Sequence, residues 1–338
     1  MGLVPVSKPE TYRPDKVSDM FKGIMDRAWF TNNGPLVRKF ESHVEKFIDV
    51  DHFVAMSNGT SALEAAISAV FPPRSLIAIP SFTFVAVASA VVRCGHRPYF
   101  VDVREDNWTM DYDKVPIVRV AGVVVPNTFG IMPDERFGKT KIPVVLDNAE
   151  GFGSTSEVFA DLDVYSFHAT KVVSCGEGGG IACRLRSDAR MLSQWRDFGF
   201  DGTGDVSSIG TNAKMSEFHA ALGLESLKTF KRRILVRREL LKRYRLNLPG
   251  FIGTQRGPSY NCIIKTINRD KVALALRNAG YDSRYYFYPI HRMKFYSGDR
   301  RGDLSVTENL GDQCLALPLH ADLMEEQVEE ICRIIKGV

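Results

Sequence analysis

Six short apolar runs in the first half of the chain each break off at small or polar residues. They are Phe53–Met56, Leu76–Ile79, Arg97–Val103, Ala121–Pro126, Ile142–Leu146 and Leu162–Phe167. Runs of this length, rich in β-branched residues and bounded by turn chemistry, read as buried strands. Helical patterning fills several of the gaps: Ala62 to Val70 and Phe84 to Val92 are rich in Ala and Val. Upstream, Leu36, Val37, Phe40, Val44 and Phe47 recur at helical spacing. Strand and helix in alternation dictate an α/β fold with a largely parallel sheet. Open sheets of that kind gather ligands at the carboxyl ends of their strands. The residues just past each run are therefore where chemistry is expected.

The length, 338 residues, predicts one large domain and a smaller one. The large domain is expected to run to about residue 235 and a small α+β domain to span 236–338, with Asn247-Leu248-Pro249-Gly250 as turn chemistry near the junction. A net charge of +4 is too mild to argue for nucleic acid, though it suits an anionic substrate. The six cysteines are scattered with no Cys-x-x-Cys pair, which predicts free thiols and no zinc site. No apolar run is long enough to cross a bilayer and the start lacks a signal core, so a cytoplasmic location with no membrane partner is expected.

Four strand ends carry distinctive residues. After Phe53–Met56 come Ser57-Asn58-Gly59-Thr60-Ser61 and then a helix. A small-residue turn into a helix offers backbone N–H groups and a helix dipole to a phosphate; it also makes an ordinary N-cap. After Leu76–Ile79, Phe84 sits where an aromatic ring can serve as core filler or as a platform for a flat cofactor. Ile142–Leu146 delivers Asp147, with Glu150 close behind. A carboxylate ending an apolar strand needs a cationic or hydrogen-bonding partner, or else caps a helix. Leu162–Phe167 leads through His168-Ala169-Thr170 to Lys171 and the glycines Gly176, Gly178, Gly179 and Gly180. A partly desolvated lysine at a strand end can act as an amine nucleophile; most lysines are simply solvated.

A phosphate cradle, an aromatic platform, a buried carboxylate and a strand-end lysine are together the parts that hold pyridoxal 5'-phosphate (PLP). The chain also resembles the DegT/StrS family of PLP-dependent sugar aminotransferases over nearly its whole length. The matching stretches are NGTSALEAAISA, PSFTFVAVASAV, LDNAEGFGS, YSFHATK with CGEGGGIA, IGTNAKMSEFHAALGLESL, and YPIH with LALPLH. The resemblance implies a fold-type I transferase: a large, mainly parallel-sheet domain and a small C-terminal α+β domain. It implies that Lys171 carries the Schiff base and moves protons, that Asp147 partners the pyridine nitrogen, and that Phe84 stacks on the ring. Gly59, Thr60, Ser61 and Ser166 fall at the phosphate, and Glu150 at the ring face or hydroxyl. Asn212, in a Gly-x-Asn motif, would reach the cofactor of a neighbouring subunit, which implies a homodimer with shared sites. Lys214 and His291 fall at substrate positions.

The resemblance further implies the reaction: an amino acid, L-glutamate, converts PLP to pyridoxamine 5'-phosphate, which aminates a keto-sugar nucleotide of the 4-keto-6-deoxy or the 3-keto type. A dehydratase branch carries histidine where this chain has Lys171, so transamination is favoured over dehydration; a non-catalytic regulator on the same fold is the other alternative. Three departures stand out. Glu150 replaces the usual Gln or His, Lys214 replaces an Arg and so offers a point charge in place of a bidentate fork, and Pro126-Asn127-Thr128-Phe129-Gly130 replaces a Val-His-x-x-Gly motif. The basic stretch Lys228 to Arg245 reads as an amphipathic connecting helix, with Ile234, Leu235, Leu240 and Leu241 inward and its charges solvated, in preference to a nucleic-acid helix.

Overall fold

The computed structural model describes residues 2–9, 12–154, 159–248, 251–252 and 261–338. Helices α1 (Pro14–Arg27) and α2 (Pro35–Ile48) lead, each opening on a proline whose missing N–H is harmless in a first turn. There follow β1 (His52–Met56), α3 (Gly59–Val70), β2 (Leu76–Pro80), α4 (Ala86–Arg93), β3 (Arg97–Val101), β4 (Gly122–Pro126), β5 (Val144–Asp147) and β6 (Leu162–Ser166). Next come β7 (Gly179–Cys183), α5 (Arg186–Trp195) and α6 (Glu217–Asn247). The C-terminal part holds β8 (Phe251–Ile252), β9 (Cys262–Lys265), α7 (Arg269–Asn278), β10 (Arg300–Arg301), α8 (Ser305–Gln313), β11 (Cys314–Leu317) and α9 (Glu325–Lys336).

One sheet of eight strands has the order β1-β7-β6-β5-β4-β2-β3-β10. It is parallel except at β7, which runs against both β1 and β6. Alternate side chains feed opposite faces, as the pleat requires: Val124 and Val145 pack with α3 and α4, while Val123, Val125 and Leu146 fill the other side. This is the α/β architecture of a fold-type I transferase. A second, antiparallel sheet, β11-β9-β8, encloses a separate core with α7, α9 and the far end of α6. The boundary expected near residue 235 falls inside α6, which is continuous for 31 residues. After the small sheet's β9, the chain returns to pair β10 with β3 and to bury Ile290, Tyr296 and Leu304 in the large core.

Two expectations for the basic stretch need correction. Ile234, Leu240 and Leu241 are buried, but Leu235 faces out at 60% exposure. Nor are all the charges solvated, because Arg233 and Arg237 are buried. Arg233 donates to the carbonyls of Val172 and Ser226; the Val172 carbonyl lies in the loop after β6, so this bond ties the helix to that loop. Pro249 and Gly250 of the expected junction lie outside the described residues. Strand β7 was hidden in the glycine cluster, and β10, two arginines long, carries no strand pattern at all.

Candidate active site

The topology brings the strand ends to one edge. Pro126 pairs with Asp147, and Asp147 with Val164, so β4, β5 and β6 finish side by side. Because β7 is inverted, its first residue Gly179 pairs with both Ser166 and Met56. The loop after β1 is thereby set beside the end of β6. Helix α3 begins earlier than its alanines suggested, at Gly59, so Gly59, Thr60 and Ser61 form its first turn. Asn58 caps it, its side-chain oxygen accepting the Ser61 N–H at 2.8 Å. The amides of Gly59 and Thr60 have no partner within the helix. A Cβ on Gly59 would sit 2.9 Å from the Ser166 Cβ, and one on Gly179 would collide with the Asn58 carbonyl and the Gly59 amide. Those glycines let backbone, Ser166 and the α3 N-terminus come together at a single corner.

Asp147 closes β5 and is buried. Burial pushes its pKa up to about 6; an N–H from Ala149 at 3.1 Å and the charge of Lys171 pull the other way, and Glu150 adds to the rise. Lys171 lies across from it, with Nζ 3.5 Å from the Glu150 Oε1. The Glu150 carboxylate is fixed further by the Phe129 N–H at 2.8 Å and the Asn261 side-chain amide at 3.3 Å. The Pro126 to Gly130 departure and the Glu150 departure thus meet in space. Asn127 bonds Asn148 at 2.8 Å, and Phe129 turns its N–H toward Glu150 from the left-handed region, φ 55°. A bulky residue held there costs about 1–2 kcal/mol, so the surrounding loop must enforce it.

The remaining expected residues are placed as follows. Phe84 stands on the loop between β2 and α4 with its ring 62% exposed, so it is not core filler. Asn212 is exposed; its backbone bridges Asp197, and the next residue, Ala213, accepts the Ser57 N–H at 2.7 Å. Lys214 does not stand free: Nζ is 2.6 Å from Asp197 and 4.5 Å from the centre of the Phe198 ring. His291 is buried with both ring nitrogens engaged, Nδ1 with the Ser81 hydroxyl at 2.8 Å and Nε2 with Glu308 at 3.1 Å. That arrangement matches a structural hydrogen-bonder and offers no free nitrogen. Sequence reasoning missed Asn261, which reaches Glu150 across 111 residues of chain, and Gly179, whose part depends on the inversion of β7.

The model of the DegT/DnrJ/EryC1/StrS aminotransferase family matches residues 14–336. A dTDP-4-amino-4,6-dideoxy-D-glucose transaminase from Shigella dysenteriae is 30% identical, covering 93% of this chain and 93% of its own length. A GDP-perosamine synthase from Caulobacter vibrioides is 27% identical over the same shares. Among solved structures, DesI in the presence of its TDP-sugar product superposes with a TM-score of 0.92 at 28% identity, covering all of this chain and 93% of DesI. The chain belongs to the DegT/DnrJ/EryC1/StrS aminotransferase family, and it is a PLP-dependent sugar aminotransferase.

Proposed function

We propose that this chain moves the amino group of L-glutamate to a keto-sugar nucleotide of the 4-keto-6-deoxy class, with PLP held at the carboxyl edge of the large sheet. The observation that carries the reading is the buried Asp147 carboxylate, pushed up to about 6 by that burial, with Lys171 close enough to act on it electrostatically. A protonated pyridine nitrogen is the donor that would satisfy it. The corner formed by Gly59, Ser166 and the α3 N-terminus suits a phosphate, since the glycines let the Ser166 side chain and the first-turn amides of α3 come close together. The residues present fit the cofactor.

Bound PLP supplies an electron sink and a carbonyl that amines can join. Asp147 holds the proton on the ring nitrogen. Lys171 Nζ takes the proton from the amine-bearing carbon of the donor and later delivers one to the sugar carbon that receives the amine. Glu150, fixed by Phe129 and Asn261, positions Nζ between those tasks. Phe84 covers one face of the site and limits water. Asp197 neutralises Lys214, so the donor carboxylate competes with Asp197 for that ammonium. Relatives named for dTDP- and GDP-linked 4-amino sugars support the substrate class.

The test is an absorbance spectrum of the purified protein with PLP, before and after L-glutamate, beside Lys171→Ala. A visible band that glutamate discharges in wild type only is the expected result. A band that glutamate leaves untouched would overturn the donor assignment. Its absence altogether would overturn the site.

A further inference from the structure

At the opposite, amino edge of the large sheet, three arginines line one cavity of about 490 Å3, together with Leu76 and Gly95: Arg74, Arg97 and Arg300. They come from three separate places in the chain. Arg74 sits in the turn before β2, Arg97 opens β3, and Arg300 opens β10. Register brings them together. Leu76 pairs with Arg97 and Arg300 with Tyr99, so Leu76, Arg97, Tyr99 and Arg300 share one face of the sheet. Arg74 is held there in the left-handed region, φ 61°, and Gly95 at φ 78° leaves open space beside it.

Among the described residues, none of the three guanidinium groups makes a hydrogen bond or an ion pair to a side chain, whereas Arg93, Arg104, Arg136, Arg196 and Arg292 each hold a carboxylate. Asp299 lies nearby, partly buried: burial raises its carboxyl, and the charge of Arg97 only partly offsets that rise. Charges on an edge strand are a common guard against sheet-to-sheet association. That role needs Arg300 and its neighbour Arg301, but it does not need Arg74 and Arg97 to converge on the same hollow. Planar guanidinium forks grouped with no carboxylate paired to them match the oxygens of phosphates.

We propose that this hollow is a second anion site, separate from the catalytic edge, that binds a diphosphate group. One physical connection to the catalytic edge is on hand. The segment from Ile290 to Arg300 begins where His291 bonds Ser81, just past β2, and ends on the β10 arginine of the hollow. An anion that fixes Arg300 therefore holds the one end of that segment that the His291–Ser81 bond does not.

The probe is inorganic pyrophosphate, titrated by calorimetry into the PLP-loaded full-length protein, with ADP and inorganic phosphate in parallel. The expected result is binding that weakens at least 10-fold in the Arg97→Gln/Arg300→Gln double variant and persists in Lys171→Ala. Both substituted arginines are exposed, and an unchanged melting temperature without anion checks that the fold is intact. Where the double variant loses the binding, ADP tighter than pyrophosphate would make the ligand of the hollow a nucleotide, and equal affinities would make its source inorganic. Pyrophosphate affinity unchanged in the double variant, or no binding to wild type at millimolar concentration, overturns the proposal. None of these outcomes depends on the transaminase reading.

Discussion

Asp147 is the residue whose energetics can be read most directly. Its pKa is about 6 in the folded chain against an ordinary 3.8. A raised carboxyl favours the folded state while it is protonated, so its contribution is fully present below pH 3.8 and is lost as pH rises through 6. With two pH units between those values, the loss amounts to about 3 kcal/mol in the cofactor-free protein. Asp147→Asn should therefore raise the melting temperature of the PLP-free protein at pH 7.5 and have little effect near pH 4. The same variant should slow amino transfer by at least about 100-fold. A melting temperature that falls at pH 7.5 would contradict this account of the burial. At this scale much was legible. Asp147 stands out because an apolar strand ends on it, and Lys171 because it follows a few residues after another. Asn261 does not, because its meaning lies in a contact with a residue far away in the chain. His291 and Lys214 were visible as residue types, yet their partners Ser81, Glu308 and Asp197 were not.

Among the elements, α6 carries the clearest lesson. The sequence shows a basic amphipathic helix, and the structure confirms the helix while burying two of its arginines. Periodicity counts hydrophobic residues and is blind to an arginine that folds inward to satisfy carbonyls. Arg233→Ala removes the donor from the carbonyls of Val172 and Ser226. It should destabilise the fold by about 3 kcal/mol in a urea melt. Arg232→Ala, at an exposed position one residue away, should change stability by no more than about 0.5 kcal/mol. Equal effects would show that the inward bonds of Arg233 are not what holds the helix to the loop after β6. Strand β7 was illegible for a different reason: Gly-Gly-Ile-Ala-Cys has no alternation to detect, and its inversion follows from pairing on both sides.

For the molecule as a whole, the question is how many copies make a working site. Asn212 is exposed, and so are its neighbours Phe198, Phe200, Val206 and Ile209. An exposed apolar group around a polar side chain suits contact with a second copy. If Asn212 serves the partner's cofactor, Lys171→Ala and Asn212→Ala are each inactive alone. Co-refolded in equal amounts, they should recover about a quarter of wild-type activity, because half the dimers are mixed and each mixed dimer has one intact site. No recovery, from dimers that purification on two different affinity tags shows to be mixed, would place Asn212 in its own subunit's site.

Helix α6 has one more consequence at this scale. Its first residue, Glu217, accepts the Leu36 and Val37 amides at 2.9 and 2.8 Å, and its last turns lie in the core of the small sheet. At 1.5 Å per residue the rod is about 46 Å long. It acts as a lever with no loop at its fulcrum: a tilt of about 5° at one end sweeps the other by about 4 Å. Substrate entry that parts the two cores must therefore bend or slide this rod, and each added turn of curvature is resisted by the helix's own hydrogen bonds. Asn261, touching Glu150 from the small sheet's side, sits where such a displacement would be felt first.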